Sequence, residues 1–186
     1  MGTLYDLVHK EGSANNVRAQ WVKEQFRKHT KGKKSVIRVL DIASGDGTFS
    51  KIFVIAGRIV QVDAVDLNPK YRKETRSNGI DYFQCDIFEY DKRKDRFKYD
   101  VIFCGEFCEH LPAGKPEELM KLIQKWLKKS GVLILTVPNF LIKSGGHLRV
   151  YDEKSMLELV KDFKVIETAG LPEERVLFHC CVCGKG

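Results

Sequence analysis

No run of apolar residues in the 186-residue chain is long enough to span a bilayer, and the opening "MGTLYDLVHKEG" has no signal-peptide core. A soluble, cytoplasmic protein with no membrane partner is the expectation. Gly2 is followed by Asp6 and Leu7 where an N-myristoylation signal needs Ser or Thr, which excludes that anchor. Internal repeats, low-complexity tracts and a second globular unit are also absent, and the length suits one domain. Cysteines number six, yet Cys85, Cys104 and Cys108 lie in apolar, strand-like runs, which reads as reduced core or near-site thiols and not as a disulfide framework. The closing "HCCVCGKG" gathers His179, Cys180, Cys181 and Cys183 without a second ligand pair, so it reads as a strand and not as a zinc site.

What is present is an alternation of helix and strand. Residues 13–30 read as an amphipathic helix with Val17, Trp21, Val22 and Phe26 on its apolar face and Arg18, Lys23, Arg27 and Lys28 on the polar side. Strands are predicted over 36–43, 59–66, 80–86, 99–105 and 131–138. The last of these is continuously apolar, as a central parallel strand should be. Helices are predicted over 46–56, 69–77, from Pro116 to 129, and over 153–163 behind Asp152 as N-cap. The polar connection "EYDKRKDRFK" holds a short helix at most. Strands over 164–168 and 176–183 are joined by a turn around Pro172, too short for a crossover, and should pair antiparallel. The sum is an α/β fold: a doubly wound, mostly parallel seven-stranded sheet with an antiparallel last strand.

The stretch "VLDIASGDGTFS" runs a strand into a glycine turn and then a helix. A phosphate-binding loop requires Gly-Lys-Ser/Thr, and Gly47 is followed instead by Thr48 and Phe49. The dinucleotide pattern G-x-G-x-x-G lacks its last glycine, and two acids, Asp41 and Asp46, stand where a pyrophosphate would lie. Acids there suit a ligand carrying an ammonium group, such as S-adenosylmethionine, whose carboxylate can meet helix N-terminal amides. The second strand ends in Asp66, placed for two ribose hydroxyls, and the third in Asp86, placed for an adenine amino group. Three acids at three successive strand ends form a joint signal that solvated loop carboxylates do not explain.

On these residues the chain resembles the class I S-adenosylmethionine-dependent methyltransferases over nearly its whole length. Their first motif reads here as Asp41, Ile42, Ala43, Ser44, Gly45, Asp46 and Gly47, with Ala43 in place of the first glycine, a change tolerable at a negative φ. The resemblance implies cofactor contacts from Asp41, Ala43, Ser44, Gly45, Gly47, Asp66, Leu67, Asp86, Ile87 and Glu106. Residues 36–186 would form the cofactor-binding domain, and residues 1–35, with Tyr5, His9 and Trp21, an N-terminal helical lid. The loop from Asn139 to Arg149 is a second lid candidate.

The segment "YDVIFCGEFCEHLP" places Glu106, Glu109 and His110 at the end of the fourth strand. Glu-x-x-Glu-His resembles a segment of the ubiquinone-pathway O-methyltransferases, and of the small-RNA 2′-O-methyltransferases, in which two glutamates and two histidines hold a divalent metal. The resemblance implies Glu106, Glu109, His110 and His147 as a metal set. The alternative is His110 or His147 as a general base beside Glu109 without metal, or His110 as a mere cap of the next helix. The expected reaction is methyl transfer to an oxygen, less readily a nitrogen, of a small-molecule acceptor. RNA stands as the other acceptor. The net charge of +7 could guide it, but the charges are scattered and lack aromatic company, which favours a solvated basic surface. A nicotinamide-dependent oxidoreductase and a noncatalytic S-adenosylmethionine-binding domain remain as the readings from other classes.

Overall fold

The computed structural model describes residues 10, 12–55, 59–71, 79–90, 98–141 and 146–186. Tyr5, His9, the predicted helix beyond Tyr71 and most of the polar connection after Tyr90 lie outside the described residues. Helix α1 (Ala14–Thr30) opens on Ser13, whose side chain accepts from the Asn16 amide at 3.1 Å, and closes on Arg27, Lys28 and His29, which suit the negative end of its dipole. Then follow β1 (Ile37–Ile42), α2 (Thr48–Ile55), β2 (Val60–Asp66), a 3-10 turn (Pro69–Tyr71), β3 (Ile80–Gln84), α3 (Ile87–Tyr90) and β4 (Tyr99–Gly105). A 3-10 turn (Cys108–His110) leads into α4 (Lys115–Trp126), β5 (Leu127–Pro138), α5 (Glu153–Leu159), β6 (Lys164–Leu171) and β7 (Phe178–Gly184).

The seven strands lie in the order β3-β2-β1-β4-β5-β7-β6. Pairing is parallel from β3 to β5, and β7 runs antiparallel to both β5 and β6. This is the doubly wound sheet the sequence predicts. Its winding reverses between β1 and β4, and in such sheets ligands bind outside the strand ends at the reversal.

Alternation along each strand divides the core. Leu40, Ile42, Ile102, Cys104, Leu133 and Leu135 face one way, onto Leu119, Ile123 and Trp126 of α4 and Met156 of α5. Val39, Val101, Phe103 and Ile134 face the other, onto Val22 and Phe26 of α1 and Phe49 and Phe53 of α2. All six cysteines are buried and free, as expected for core thiols.

Two helix ends and the burial of one side chain differ from the sequence reading in ways that packing explains. Residues 127–129, predicted as the end of a helix, already belong to β5, because Leu127 pairs with Tyr99 of β4. Helix α5 stops at Leu159, four residues early, where the Val160 amide donates to Met156 O at 3.3 Å and closes the last turn. Arg18, assigned to the polar side of α1, is only 2% exposed. It sits one turn before Val22 on the face that also buries Phe26.

Candidate active site

The glycine turn is shaped by backbone conformations that few side chains tolerate. Ala43 has φ +54°, Gly45 φ +54° and Gly47 φ +74°. The expectation that Ala43 keeps a negative φ is therefore overturned: the alanine occupies a left-handed conformation costing about 1–2 kcal/mol. Surrounding hydrogen bonds hold the turn. Ser44 N donates to Val65 O at 3.1 Å, Gly47 N to Ser44 O at 3.0 Å, and Gly45 N to Asp66 Oδ2 at 2.9 Å. Asp46 caps α2 by accepting from the amide and hydroxyl of Thr48, at 3.0 and 2.6 Å.

Above this turn lies a cavity of about 660 Å³. Ala43 and Gly45 form one part of its wall, Asp66 and Leu67 another, and Asp86, Ile87, Glu106 and His110 the rest. Asn68, Tyr71, Phe88, Phe107 and Leu111 also line it, and sequence reasoning missed them. Their signal was position: each lies within a few residues of a strand end already singled out. Asp66 Oδ1 takes the Asn68 amide at 2.8 Å while Oδ2 takes Gly45. A carboxylate has about four lone-pair sites, so capacity remains for hydroxyls. Asp86 sits two residues past β3 and accepts from Phe88 N at 2.9 Å, fixing the start of α3.

Asp41 stands apart from this wall. It shares the parity of Ile37 and Val39 and so points beneath α2, 1% exposed, where Ser50 Oγ donates to it at 2.5 Å. Burial pushes its carboxyl up to about 7, the Ser50 hydrogen bond offsetting part of the rise. Ser44 is buried within the turn, and Glu109 and His147 also lie off the cavity wall.

Glu109 and His147 meet His110 instead. Among the described residues, Glu109, His110 and His147 offer ligand atoms within 4.8 Å of one another. Their meeting depends on the segment after β5: Leu148 N donates to Glu109 O at 2.8 Å and Arg149 Nη2 to Leu111 O at 2.6 Å. The two imidazole rings stand edge to face, centroids 4.9 Å apart. His110 Nδ1 lies 3.2 Å from Gly146 O, and His147 Nδ1 lies 3.2 Å from Phe140 O. With Nδ1 donating to a carbonyl, each neutral ring presents its Nε2 lone pair. Burial lowers the His110 pKa, which favours the neutral ring. Glu109 is wholly buried, and neither carboxylate oxygen has a hydrogen-bond partner among the described residues. Burial, with the Glu106 charge adding, pushes its carboxyl up to about 8.

Glu106 does not join that trio, against the four-residue metal set drawn from the sequence. It has φ +53° and turns toward α1, where Arg18 Nη1 lies 2.9 Å from its Oε1. Thr136 Oγ1 donates to the same oxygen at 3.3 Å. Burial raises its pKa, and Arg18 offsets part of that rise.

A reversal-point cavity with strand-end acids and a positive-φ turn at the first strand is the arrangement of a class I S-adenosylmethionine-dependent methyltransferase. Comparison bears this out: residues 14–164 match the family model described as a methyltransferase domain, and the chain belongs to that family. Ubiquinone biosynthesis O-methyltransferase of Bordetella bronchiseptica is 30% identical over 131 residues, covering 67% of this chain and 50% of that protein. The Pasteurella multocida protein of the same name is 30% identical over 179 residues, covering 90% of this chain and 70% of its own. The chain thus spans about half the length of several curated relatives it matches. Among solved structures, the N-methyltransferase NodS of Bradyrhizobium japonicum with S-adenosyl-L-homocysteine superposes with TM-score 0.74 at 14% identity, covering 98% of this chain and 96% of that one. The 1,6-didemethyltoxoflavin-N1-methyltransferase of Burkholderia thailandensis gives 0.75 at 18% identity, covering 96% and 80%. At such identities these two speak for the fold.

Proposed function

We propose that the chain transfers a methyl group from S-adenosylmethionine to an oxygen of a small-molecule acceptor. The observation that carries this is the adjacency of two sites: an acid-lined cavity at the sheet reversal, and a Glu-His-His cluster sharing His110 with its wall. The likeness to ubiquinone biosynthesis O-methyltransferases supports oxygen as the nucleophile.

The cofactor supplies an already activated methyl group, so the protein's task is to hold the acceptor in line and exclude water. Asp66, whose carboxylate Gly45 N fixes, would accept from the ribose hydroxyls. Asp86 and the amides around Ile87 would receive the adenine edge, and Leu67, Phe88 and Tyr71, which line the same cavity, would cover it with apolar surface. On the acceptor side, neutral His110 would take the hydroxyl proton at Nε2 while the cofactor, when bound, supplies the methyl group. Glu109 Oε1, 3.7 Å from that nitrogen, stabilises the resulting cation when ionised.

The same trio suits a divalent metal. Two imidazoles whose Nδ1 atoms are tied to carbonyls, and a buried carboxylate whose oxygens make no hydrogen bond among the described residues, form a nitrogen-and-oxygen donor set appropriate to Zn²⁺ or Fe²⁺. A bound ion would lower the pKa of an acceptor hydroxyl there. RNA as acceptor is favoured only by the net charge of +7.

Calorimetric titration with S-adenosylhomocysteine tests the reading, on wild type and Asp66→Ala, with and without Mg²⁺, Mn²⁺ or Zn²⁺. Binding by the wild type that Asp66→Ala loses, with its circular dichroism unchanged, is the expected result. Absence of wild-type binding at high micromolar ligand would leave a noncatalytic domain as the better account.

A further inference from the structure

Asp63 breaks the apolar run of β2 with a carboxylate that points into the core. It is 1% exposed and shares the parity of Val65, so it lies on the sheet face that α3 and α4 cover. Taking such a charge out of water costs several kcal/mol unless partners answer it, and two phenols and a guanidinium do. Tyr99 Oη donates to Asp63 Oδ2 at 2.6 Å. Tyr90 Oη lies 2.9 Å from the same oxygen and 2.7 Å from Tyr99 Oη, and Arg38 Nη2 lies 3.6 Å from Oδ2. Burial pushes both phenols far above their ordinary value, with the Asp63 charge adding, so both hydroxyls stay protonated. A buried network of this kind fixes positions more narrowly than apolar packing does.

Tyr99 and Arg38 belong to strands β4 and β1, whose places the sheet already sets. Tyr90 is different, because it ends α3, a helix of a single turn. An isolated turn has no stability of its own in water, so its place is set by what it is fastened to. Ile87 and Tyr90 are its buried residues, and the Tyr90 ring packs edge-on against Phe83 of β3 and Trp126 of α4, with centroids 5.6 and 6.0 Å away. At the other end of the turn stands Asp86, on the cavity wall. Tyr90 N donates to Asp86 O at 3.1 Å, and Phe88 N donates to Asp86 Oδ1 at 2.9 Å. One hydrogen-bonded turn thus links the Asp63 carboxylate in the core to the Asp86 carboxylate at the cavity.

We infer that Tyr90 is a positioning residue, whose hydroxyl, held by Asp63, sets the depth of α3 and so aims Asp86 at the exocyclic amino group of the cofactor's adenine. The inference rests on the methyltransferase reading. It gives Asp63, buried and off the cavity wall, a part in base selectivity.

The test compares two probes by calorimetry: S-adenosylhomocysteine, and S-inosylhomocysteine, in which an oxygen replaces that amino group. Wild type should prefer the adenine form about tenfold, the scale of one hydrogen bond to a charged group. Tyr90→Phe keeps the ring and deletes the hydroxyl, and it should lower the preference about threefold, the scale of one neutral hydrogen bond. Asp86→Asn should remove the preference, and adding Tyr90→Phe to it should not change the ratio further. Tyr99→Phe takes a hydroxyl from the same carboxylate but leaves the Tyr90 contact. It should lower the urea midpoint as Tyr90→Phe does and keep the wild-type ratio. Asp63→Ala removes the anchor from its other side and carries the same test should Tyr90→Phe not fold.

A wild-type ratio in Tyr90→Phe would overturn the inference. So would an equal fall of the ratio in Tyr99→Phe, because general loosening of the core would then be the cause. Wild-type protein that binds both probes alike would show that Asp86 does not read the amino group, which also overturns it. Wild-type protein that binds neither probe would overturn the methyltransferase reading itself.

Discussion

Asp41 shows how far one carboxyl can be taken from its role in a motif by the parity of a strand. It faces α2 and not the cavity, and burial raises its pKa to about 7. The ordinary value for the unfolded chain is 3.8, so the native state holds the proton more tightly. Stability from this group is therefore full below about pH 4 and is lost as pH rises through about 7. Asp41→Asn, which stays neutral, should match the wild type near pH 4 and exceed it at pH 8 by up to a few kcal/mol. Urea unfolding of both proteins at the two pH values checks this; a variant less stable at pH 8 would show that the ionised carboxylate is favoured in the fold. Ala43 and Glu106, the two non-glycine residues with positive φ among the described residues, flank the same cavity. Strain of about 1–3 kcal/mol each is typical where the surroundings over-determine a ligand-facing backbone. Neither conformation was legible in the sequence, since alanine and glutamate carry no mark of left-handed backbone. The positions of Asp66 and Asp86 were legible, because each closes an apolar run.

Elements follow the apolar pattern wherever packing and pattern agree. The run Tyr99–Gly105 is read correctly to the residue because its continuous apolar stretch from Val101 to Cys104 is buried on both faces and Lys98 and Glu106 bound the strand. The boundary of α4 with β5 is misread because Leu127-Lys128-Lys129 continues the helical pattern, whereas a sheet contact to Tyr99 decides its state. Arg18 is misread for the converse reason: its i, i+4, i+8 spacing with Val22 and Phe26 marks the buried face, and its charge argues otherwise. The lid expected over residues 1–35 has its described helix built into the core by those same residues. Gly131 lies against backbone where β5 meets the start of β4. A Cβ there would lie 2.7 Å from Tyr99 O and 3.1 Å from Lys128 N, both backbone atoms. Gly131→Ala must therefore separate the two central strands beside the irregularity between Tyr99 and Val101. A loss of about 1–3 kcal/mol is expected, on the scale of overpacked cores, read as a lower urea midpoint with increased amide exchange in β4 and β5. An unchanged midpoint would show that the strand bulge absorbs the methyl group.

At the scale of the molecule, the Glu-His-His trio joins two segments that come from far apart in sequence. Glu109 and His110 follow β4, and His147 arrives with a segment stitched to them by the Leu148 amide and the Arg149 guanidinium. A metal on this trio would therefore bind the folded chain and not the unfolded one, in which the ligands separate. Any such ligand at a hundred times its dissociation constant stabilises by about 2.7 kcal/mol. For a domain of this size that corresponds to a rise in melting temperature of roughly 5–10 °C. Zn²⁺ should produce the rise in wild type. His147→Ala should abolish it while leaving S-adenosylhomocysteine affinity within about twofold, because His147 lies off the cavity wall. Scattered surface charge cannot imitate this outcome, since a cation held by general electrostatics would survive the loss of one imidazole and fade with salt. Wild type that melts at the same temperature with and without Zn²⁺, yet binds S-adenosylhomocysteine, would leave His110 as a base acting without metal, with Glu109 as its buried counter-charge.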